Sequence, residues 1–339
     1  MDVIAIGDVT EDVFVQVNDA HLITHGNHQR ELALPFGTKL AIDRVDKLLG
    51  GNAGNVAIGS SRLGLRSALC SDVGDDTQGE LLRQSLTKDK VSTKYFSLKK
   101  GEATNYSVIL NYGDERTILV HHEPRTYKFP RLVKSAWVYL TSMGKDTARI
   151  FSPLLQHVKK NKVKLAFNPG THQLNLGLRK LEPLLAATEI LFVNVEEAQQ
   201  LLSTKKRDLP FLLRTFNEIG VRIVVITDGE KGSYAYNGAE YWYCPIYKVV
   251  PVERTGCGDS YATGFMCARQ YGENIAEAMI WGAINSSSVL RYVGPQAGLL
   301  TATRLREIRN ANLKFEARTL KEKEMKRNRE YVPTRFKEL

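Results

Sequence analysis

Apolar residues in the second half of the chain recur in a pattern that predicts alternating strands and helices. Short apolar runs near residues 136–141, 163–167, 190–194 and 222–227 are each followed by the 3.6-residue periodicity of a helix. This alternation favours an α/β fold in which helices cover both faces of a doubly wound, mostly parallel sheet. Residues 3–7 form an apolar run of the same kind, which predicts a central strand of that three-layer αβα arrangement.

A second, β-rich pattern occupies parts of the first third of the chain. Residues 13–17 and roughly 32–45 have the character of strands with polar interruptions, and residues 105–110 and 116–120 predict a hairpin. Their polar positions do not suit a strand that is buried on both faces. We therefore expect a small β-layer outside the main core.

Composition places the chain among ordinary globular proteins. Of its 339 residues, 43% are hydrophobic and 25% are charged, so one large α/β domain or two smaller ones can form. The four cysteines are scattered without a C-x-x-C pair, which argues against a disulfide framework or a zinc site. The chain has no basic leader and no apolar run of membrane-spanning length, so we expect a cytoplasmic protein without a membrane partner.

The net charge of +10 is spread along the chain rather than gathered in one stripe. Residues 313–339 contribute nine basic and five acidic side chains, which predicts a charged C-terminal extension in the form of a solvated helix. A nucleic-acid contact through this extension is an alternative. The diffuse charge argues against it, and a positive field also suits an enzyme that binds anionic substrates.

The stretch 252–265 carries the strongest chemical pattern. A β-rich segment leads into a turn with Gly256 and Gly258, and a helical run starts beside Asp259. Unpaired N–H groups at a helix start bind anions, and a neighbouring carboxylate can take a proton from a hydroxyl. The combination suits attack of a hydroxyl on a phosphoryl group. A glycine turn with an Asp that caps the next helix is the alternative for this stretch taken alone.

Other polar residues fall where predicted strands end. Asp12 follows the first strand, and Asn55 lies in a glycine-rich stretch, residues 48–64, that leads into a helix of small residues. Asn52 or Asn55 is expected to cap this helix. Asn194, Glu197 and residues 227–232 follow two later strands. In a doubly wound sheet, ligands bind beyond the carboxyl ends of the strands, so these residues are expected to share one cleft.

Two other nucleotide-binding patterns are excluded. Residues 227–233 lack the spacing G-x-x-x-x-G-K-[ST] of a P-loop. Residues 256–264 do not give G-x-G-x-x-G after a strand, which argues against a dinucleotide oxidoreductase.

Together, the stretches 50–64 and 252–265 resemble the ribokinase-like, or PfkB, carbohydrate kinases, over most of residues 1–312. Asp12, Asn194 with Glu197, and residues 227–232 add to the resemblance. The resemblance implies a kinase domain over 1–312 in which stretches of about 13–45 and 95–123 build a lid over the sugar. It also implies the family's activity, in which ATP and Mg²⁺ are used to phosphorylate a hydroxymethyl group of a sugar or nucleoside.

The roles implied by the resemblance fall on individual residues. Asp259 corresponds to the catalytic base that deprotonates the acceptor. The other implied roles are an anion hole from the N–H groups of Gly256, Cys257 and Gly258, acceptor ligands at Asp12, Gly51 and Asn55, nucleotide contacts at Asn194, Thr227, Gly229, Gly232 and Asn285, and a magnesium-phosphate site at Glu197.

The resemblance is incomplete just before the catalytic turn. The family usually has Asp-Thr-Thr where this chain has Glu253, Arg254 and Thr255, and in many members the first Asp and the second Thr help to form a monovalent-cation site. Glu253 is longer than that Asp, and Arg254 brings a positive charge close by. Dependence on potassium is therefore left open, and Arg254 is a candidate phosphate contact. An ungapped count places Ala283 rather than Asn285 at the position of the family's adenine-contacting Asn.

Three functions remain at this point. A sugar kinase of the ribokinase or fructokinase type is the first, and a nucleoside kinase of the adenosine type is the second. A non-catalytic sugar or nucleotide sensor is the third, although an intact Asp259 between its two glycines argues against it. The resemblance also implies a possible homodimer formed through the lid.

Overall fold

The computed structural model describes residues 1–25, 30–113 and 115–327. The strands among these residues are β1 Val3–Ile6, β2 Thr10–Gln16, β3 His21–Thr24, β4 Arg30–Ala33, β5 Val45–Gly50, β6 Ser67–Gly74, β7 Ser92–Lys99, β8 Tyr106–Tyr112, β9 Glu115–His121, β10 Trp137–Leu140, β11 Lys164–Phe167, β12 Ile190–Asn194, β13 Ile223–Thr227, β14 Ser233–Tyr236, β15 Tyr241–Cys244 and β16 Arg318–Leu320.

The helices separate most of these strands. They are α1 Asn52–Arg62, α2 Thr77–Lys88, α3 Phe151–Asn161, α4 Thr171–Leu174, α5 Leu178–Ala186, α6 Val195–Leu201, α7 Leu209–Ile219, α8 Cys257–Gln270, α9 Ile275–Val289, α10 Ala302–Ala311 and α11 Glu322–Arg327, with short 3₁₀ helices at Lys145–Ile150 and Gly229–Lys231.

The main sheet has ten strands in the order β16-β15-β14-β13-β12-β11-β10-β1-β6-β7. Pairing is parallel from β13 through to β7, and β14, β15 and β16 add antiparallel strands at the other edge. The predicted α/β class and mostly parallel sheet are confirmed. The four βα strands expected in the second half lie within a few residues of their predicted positions.

Alternate strand residues divide the core between two layers of helices. On β10, Val138 and Leu140 belong to the cluster of α3, α5, α6 and α7, whereas Trp137 and Tyr139 belong to that of α8, α9 and α10. Strands buried on both faces explain why these segments appear as continuous apolar runs in the sequence.

The small β-layer is a four-stranded sheet in the order β5-β2-β8-β9, which we call the lid. Its outer face packs Val13 and Val15 against residues that include Leu32, from the separate β3–β4 hairpin. Two expectations about this region are wrong in detail. Residues 95–99 belong to β7 at the edge of the main sheet, and residues 34–44 form no strand between β4 and β5.

The charge pattern predicted a helical C-terminal extension, and this prediction is wrong for part of the extension. Arg318–Leu320 pairs antiparallel with β15, and Leu320 is buried in the main core. The reason is tertiary, because the open edge of β15 supplies hydrogen-bond partners that the local sequence does not reveal. Helix α11 follows, and residues 328–339 of the predicted helix lie outside the described residues.

Candidate active site

The turn before α8 brings the backbone close to where a ligand would bind. Gly256 has φ of 78°, a left-handed conformation, and a Cβ there would lie 2.4 Å from Cβ of Pro295. A Cβ on Gly258 would meet nothing within 4 Å, so this side of the turn is open. The N–H of Cys257 makes only a long contact of 3.4 Å with the carbonyl of Arg254. The turn therefore offers N–H groups at the start of a fourteen-residue helix, where the helix dipole favours an anion.

Asp259 lies in the first turn of α8 and is buried. Its Oδ2 accepts a hydrogen bond from Nδ2 of Asn55, on α1, at 2.8 Å. Oδ1 of Asn55 in turn accepts a hydrogen bond from Nε2 of Gln296 at 3.0 Å, which fixes the orientation of the amide. The alternative in which Asp259 serves only as a helix cap does not account for this contact with a different helix.

Burial raises the pKa of Asp259 to about 7. The hydrogen bond from Asn55 acts in the opposite direction, and the negative charges of Glu197 and Asp12 raise the pKa further. A carboxylate that titrates near neutral pH is a better match for general base catalysis than an exposed one.

Asp12 faces the cleft from strand β2 of the lid. Its Oδ1 accepts a hydrogen bond from Oγ1 of Thr10 at 2.5 Å, and its side chain also interacts with Ser107 on β8. Burial raises the pKa of Asp12 to about 6, whereas the hydrogen bonds from these two hydroxyls lower it. A Cβ on Gly50 would collide with the carboxylate of Asp12, so the glycine loop passes directly against it.

The glycine loop also starts α1 in an unexpected way. The N-cap is Gly51, with φ of 84° and no side-chain cap, so the expectation that Asn52 or Asn55 caps the helix is wrong. A Cβ on Gly51 would lie 2.6 Å from the carbonyl oxygen of Asp8. The close approach to β1 requires glycine here, and it leaves Asn55 one turn into the helix, where it reaches Asp259.

The predicted nucleotide residues come together at the ends of β12 and β13. Asn194 and Thr227 are register partners in neighbouring parallel strands. Thr227 leads into the 3₁₀ turn that contains Gly229 (φ of 51°) and ends at Gly232 (φ of 89°). Glu197 closes a capping box, since its Oε2 accepts the N–H of Asn194 at 2.9 Å and its own N–H donates to Oδ1 of Asn194 at 2.8 Å.

Glu197 and Asn194 therefore have a structural role in addition to any contact with a ligand. Burial raises the pKa of Glu197, and the N–H of Asn194 lowers it. The carboxylate of Glu197 is close enough to raise the pKa of Asp259. The buried carboxylate of Asp259 and the half-buried carboxylate of Glu197 favour a cation in their vicinity.

Asn285 does not fit its predicted role as a nucleotide contact. It is fully buried, its Nδ2 donates to the carbonyl of Ser260 at 2.8 Å, and its Oδ1 accepts the N–H of Leu300 at 3.2 Å. The side chain joins α9 to α8 and to the loop before α10. The sequence alone shows that α9 carries this amide, but the direction in which the amide points depends on helix packing.

Sequence reasoning missed a lid arginine beside the catalytic turn. Arg116 is the register partner of Asn111, and its Nε lies 3.6 Å from Oε1 of Glu253. The same oxygen accepts the N–H and the hydroxyl of Thr255 at 2.7 and 2.6 Å, and Oε2 accepts the N–H of Gly294 at 3.3 Å. Only the register of the β8–β9 hairpin could have indicated this contact, and it cannot be read without the partner strand.

Arg254 lies on the other side of this turn. It forms ion pairs with Glu230 at 3.3 Å and with Glu115 at 3.9 Å. The arginine thus connects the lid hairpin and the loop after β13 to the catalytic turn. In the described residues it contacts carboxylates, so a phosphate contact would require it to exchange partners.

Among residues 1–25, 30–113 and 115–327, no group of three or more His, Cys, Asp and Glu side chains is arranged to hold a metal ion. Over the same residues, no helix combines the length and the apolar character needed to span a membrane.

The sequence profile described as "pfkB family carbohydrate kinase" matches residues 19–302 of the chain. This chain belongs to the PfkB family. Membership of this family and the similarity to ribokinases and nucleoside kinases identify it as a phosphotransferase with an alcohol group as acceptor, a sugar or nucleoside kinase of the ribokinase family.

Individual relatives within the PfkB family differ in their acceptors. The chain is 25% identical to the ATP-dependent 6-phosphofructokinase of Thermoanaerobacterium thermosaccharolyticum, over 78% of this chain and 85% of that protein. It is 27% identical to the nucleoside kinase of Methanothermobacter thermautotrophicus, over 88% of this chain and 92% of that protein. The sequence identities to these two relatives are too similar to indicate which acceptor this chain uses.

The fold agrees with that of a solved PfkB-type structure. A putative ribokinase II of E. coli in complex with ATP and Mg²⁺ superimposes with a TM-score of 0.73, 18% identity, and coverage of 91% of this chain and 99% of that one. The predicted ribokinase-like fold is thereby confirmed.

Proposed function

We propose that this PfkB-family kinase transfers the γ-phosphoryl group of ATP to a hydroxymethyl group of a sugar, with Asp259 as the catalytic base. The observation that carries the proposal is the position of Asp259. A buried carboxylate with a pKa of about 7 lies in the same turn as the open backbone at Gly258. Base and anion site are therefore next to each other, as an in-line phosphoryl transfer requires.

The residues of the cleft have different roles in the proposed reaction. Asp12 and Asn55 bind acceptor hydroxyls, and Asn55 also keeps Asp259 oriented through the 2.8 Å hydrogen bond. Asp259 takes the proton of the reacting hydroxyl as that oxygen attacks the γ-phosphorus. The N–H groups of Gly256, Cys257 and Gly258 then stabilise the charge on the transferred phosphoryl group.

The nucleotide is proposed to lie along the ends of β12 and β13. Thr227, Gly229 and Gly232 line this edge with a turn whose backbone approaches a ligand closely. Glu197 and Asn194 offer the oxygen ligands that Mg²⁺ prefers, and the raised pKa of Glu197 reflects a half-buried carboxylate that a cation would stabilise. When bound, Mg²⁺ neutralises charge on the phosphates of ATP.

We propose further that the kinase does not depend on potassium. The guanidinium of Arg116 lies beside Glu253, at the point where the family resemblance had suggested a monovalent-cation site. A fixed positive charge from the lid compensates the buried carboxylate. Activity assayed in potassium, sodium and tetramethylammonium salts at equal ionic strength should agree within about twofold, and a strict requirement for potassium would overturn the proposal.

A nucleoside acceptor is the second candidate. In the lid register, Ile118 and Val120 share the face of Asp12, and their side chains are 42% and 52% exposed. An apolar wall of this kind suits a nucleobase, and one relative is a nucleoside kinase.

The deciding experiment measures ADP release from ATP and Mg²⁺ with a panel of sugars and nucleosides. Acceptor-dependent ADP release that falls by about 10³-fold or more in Asp259→Asn supports the proposal. Asp146→Asn, at an exposed site paired with Arg149, serves as the matched control and should retain wild-type activity. Equal activity of the two variants would refute the role of Asp259.

A homodimer through the lid is also a proposal. The β3–β4 hairpin packs against the lid through Leu32. This hairpin and the segment after it expose several large apolar side chains, namely Leu22, Ile23, Leu34, Phe36 and Ile42. Because exposed apolar groups of this number favour association, we propose a second copy of this chain as their partner. Light scattering should give twice the chain mass, and Phe36→Ser with Ile23→Ser should give a monomer. A wild-type monomer at micromolar concentration would contradict the proposal.

A further inference from the structure

A second group of titratable side chains lies at the other end of the acceptor cleft from Glu253. His122 directly follows β9, and its Nδ1 lies 3.3 Å from Oδ2 of Asp8. The ring of His172, on α4, meets that of His122 edge-on, with 5.4 Å between the ring centroids. The proposed phosphoryl transfer uses none of these three residues.

Asp8 is held in place by the main domain, and the ring of His122 lies within ion-pair distance of it. The Asp8 side chain is almost fully buried at the end of β1. Its Oδ2 accepts hydrogen bonds from the hydroxyl of Tyr127 at 2.6 Å and from the N–H of Gly144 at 3.0 Å. With Nδ1 of His122 turned towards this carboxylate, Nε2 points away from it.

The lid register places His122 in the acceptor cleft. Val120 pairs with Ser107, and Ser107 pairs with Asp12, so the three side chains share one row on one face. His122 is two residues beyond Val120, and the alternation of side chains puts it on the same face, about 7 Å further along. Arg116 lies four residues from Val120 in the other direction, about 13 Å away and beside Glu253.

Carboxylates and basic side chains occupy different parts of the cleft. Asp12 and Asp259 supply carboxylates where the hydroxyl reacts. At the other end, two imidazoles are accompanied by Lys145, which directly follows the Gly144 that binds Asp8. Burial lowers the pKa of His172, the positive charges of His122 and Lys145 lower it further, and Asp8 raises it.

The remaining charged groups near this end are paired elsewhere. Arg125 is bound to Glu102 at 2.6 Å, and His121 is bound to Glu123 at 2.9 Å. Asp8 is a carboxylate that faces the two histidines, and its Oδ2 is hydrogen-bonded, whereas its buried Oδ1 has no hydrogen-bond partner. The far end of the cleft therefore presents proton donors to a ligand.

We propose that His122 and His172, together with Lys145, bind an anionic group of the acceptor, a phosphate or a carboxylate remote from the reacting hydroxyl. The inference rests on the proposed kinase function and narrows its acceptor to a sugar phosphate or a sugar acid. Opposite charges in these two parts of the cleft orient such an acceptor in a single direction, with its hydroxyl at Asp259. A neutral sugar gains no such orientation.

The test compares three neutral acceptors, ribose, fructose and adenosine, with ribose 1-phosphate, fructose 6-phosphate and gluconate, each of which has a free hydroxymethyl group. The wild-type enzyme should use an anionic acceptor with kcat/KM about 100-fold above the neutral ones. His122→Ala should raise KM for that acceptor by about tenfold or more and change kcat by less than about threefold. His122→Gln keeps a hydrogen-bonding side chain, so its KM for that acceptor should lie between those of the wild type and His122→Ala.

The neighbouring His121→Ala is the matched control, because that imidazole is exposed on the opposite face and should leave KM unchanged. The two sources of the anion are separated by whether the phosphates or gluconate are preferred.

A preference for neutral acceptors, or equal KM values for His122→Ala and His121→Ala, would overturn the inference while leaving the kinase function intact. If no acceptor is phosphorylated, the proposed function fails instead. Thermal unfolding with fructose 6-phosphate or with fructose then provides a separate readout. Stabilisation by the phosphate that is absent in His122→Ala supports the anion site, and equal stabilisation by both ligands refutes it.

Discussion

The amide of Asn55 and the carboxylate of Asp259 are joined by a 2.8 Å hydrogen bond across 204 positions of sequence. The bond connects the starts of α1 and α8, which carry the two glycine-rich stretches of the chain. It also affects the chemistry, because it lowers a pKa that burial raises.

Loss of the Asn55 amide should shift the pH dependence of activity. Asp259 acts as a base in its deprotonated form, so kcat/KM should rise with pH through a midpoint near the pKa of about 7. Asn55→Ala removes the hydrogen bond that lowers this pKa, so the midpoint should move up by about one pH unit. Activity at pH 6.5 should fall by about tenfold or more, as measured in a pH–rate profile.

Asn52→Ala is the matched control for this variant, since Asn52 lies on the same helix, one turn from Asn55. Its profile should coincide with that of the wild type. An Asn55→Ala midpoint equal to the wild-type midpoint would exclude the amide from control of Asp259.

The buried Asp259 should reduce stability at high pH. Its pKa in the folded state, about 7, is above the value of 3.8 for an exposed Asp, so the folded state holds the proton more tightly. Stability from this group is therefore complete below about pH 4 and is lost progressively as the pH rises to 7. Asp259→Asn should raise the free energy of unfolding by on the order of 2–4 kcal/mol at pH 8.

The measurement is denaturant unfolding of both proteins at pH 8 and at the lowest pH at which they stay folded. The difference between the variant and the wild type should shrink as the pH falls. A difference that is independent of pH would show that Asp259 has the same pKa in the folded and the unfolded protein, which contradicts the raised pKa.

Arg116 should couple the lid to the catalytic turn. Arg116→Ala leaves the buried Glu253 without its guanidinium, which should reduce stability by about 1–3 kcal/mol and kcat by about tenfold. Arg116→Ala with Glu253→Gln should recover much of the stability, because no buried charge is then left without a partner. A double-mutant cycle of unfolding free energies checks this, and additive single effects would contradict the coupling.

The two glycines of the catalytic turn should respond differently to alanine. Gly256→Ala requires a left-handed backbone and a Cβ 2.4 Å from Pro295, so thermal stability should fall, at a cost of about 1–3 kcal/mol or more. A Cβ at Gly258 meets nothing within 4 Å, so Gly258→Ala should fold normally.

Gly258→Ala should nevertheless lose activity, because the new methyl group occupies space proposed for the phosphoryl group. A reduction in kcat of about tenfold or more, without a change in melting temperature, is the expected result. If Gly258→Ala has wild-type kinetics, the phosphoryl group does not lie against this turn.

Local sequence patterns predicted the structure where neighbouring residues share the same environment or where backbone geometry restricts the residue type. The strands of the parallel sheet are buried on both faces, so their apolar runs are visible without any knowledge of their neighbours. The turn at Gly256 was also visible, because a left-handed backbone and a close contact restrict the residue type. The side-chain roles of Asn285 and Asn52 were not, since an amide can cap, bridge or bind a ligand with the same local sequence.

By itself, the sequence determined the α/β class, the two glycine-rich stretches and the identity of Asp259 as the candidate base. These features depend on burial periodicity and backbone sterics, which act over a few residues. The tertiary structure decided that Asn55 reaches Asp259, that Arg116 meets Glu253, that Asp8 lies beside His122, and that residues 318–320 form an edge strand. Each of these contacts joins segments distant in sequence, and their geometry depends on strand register and helix packing, which no single segment encodes.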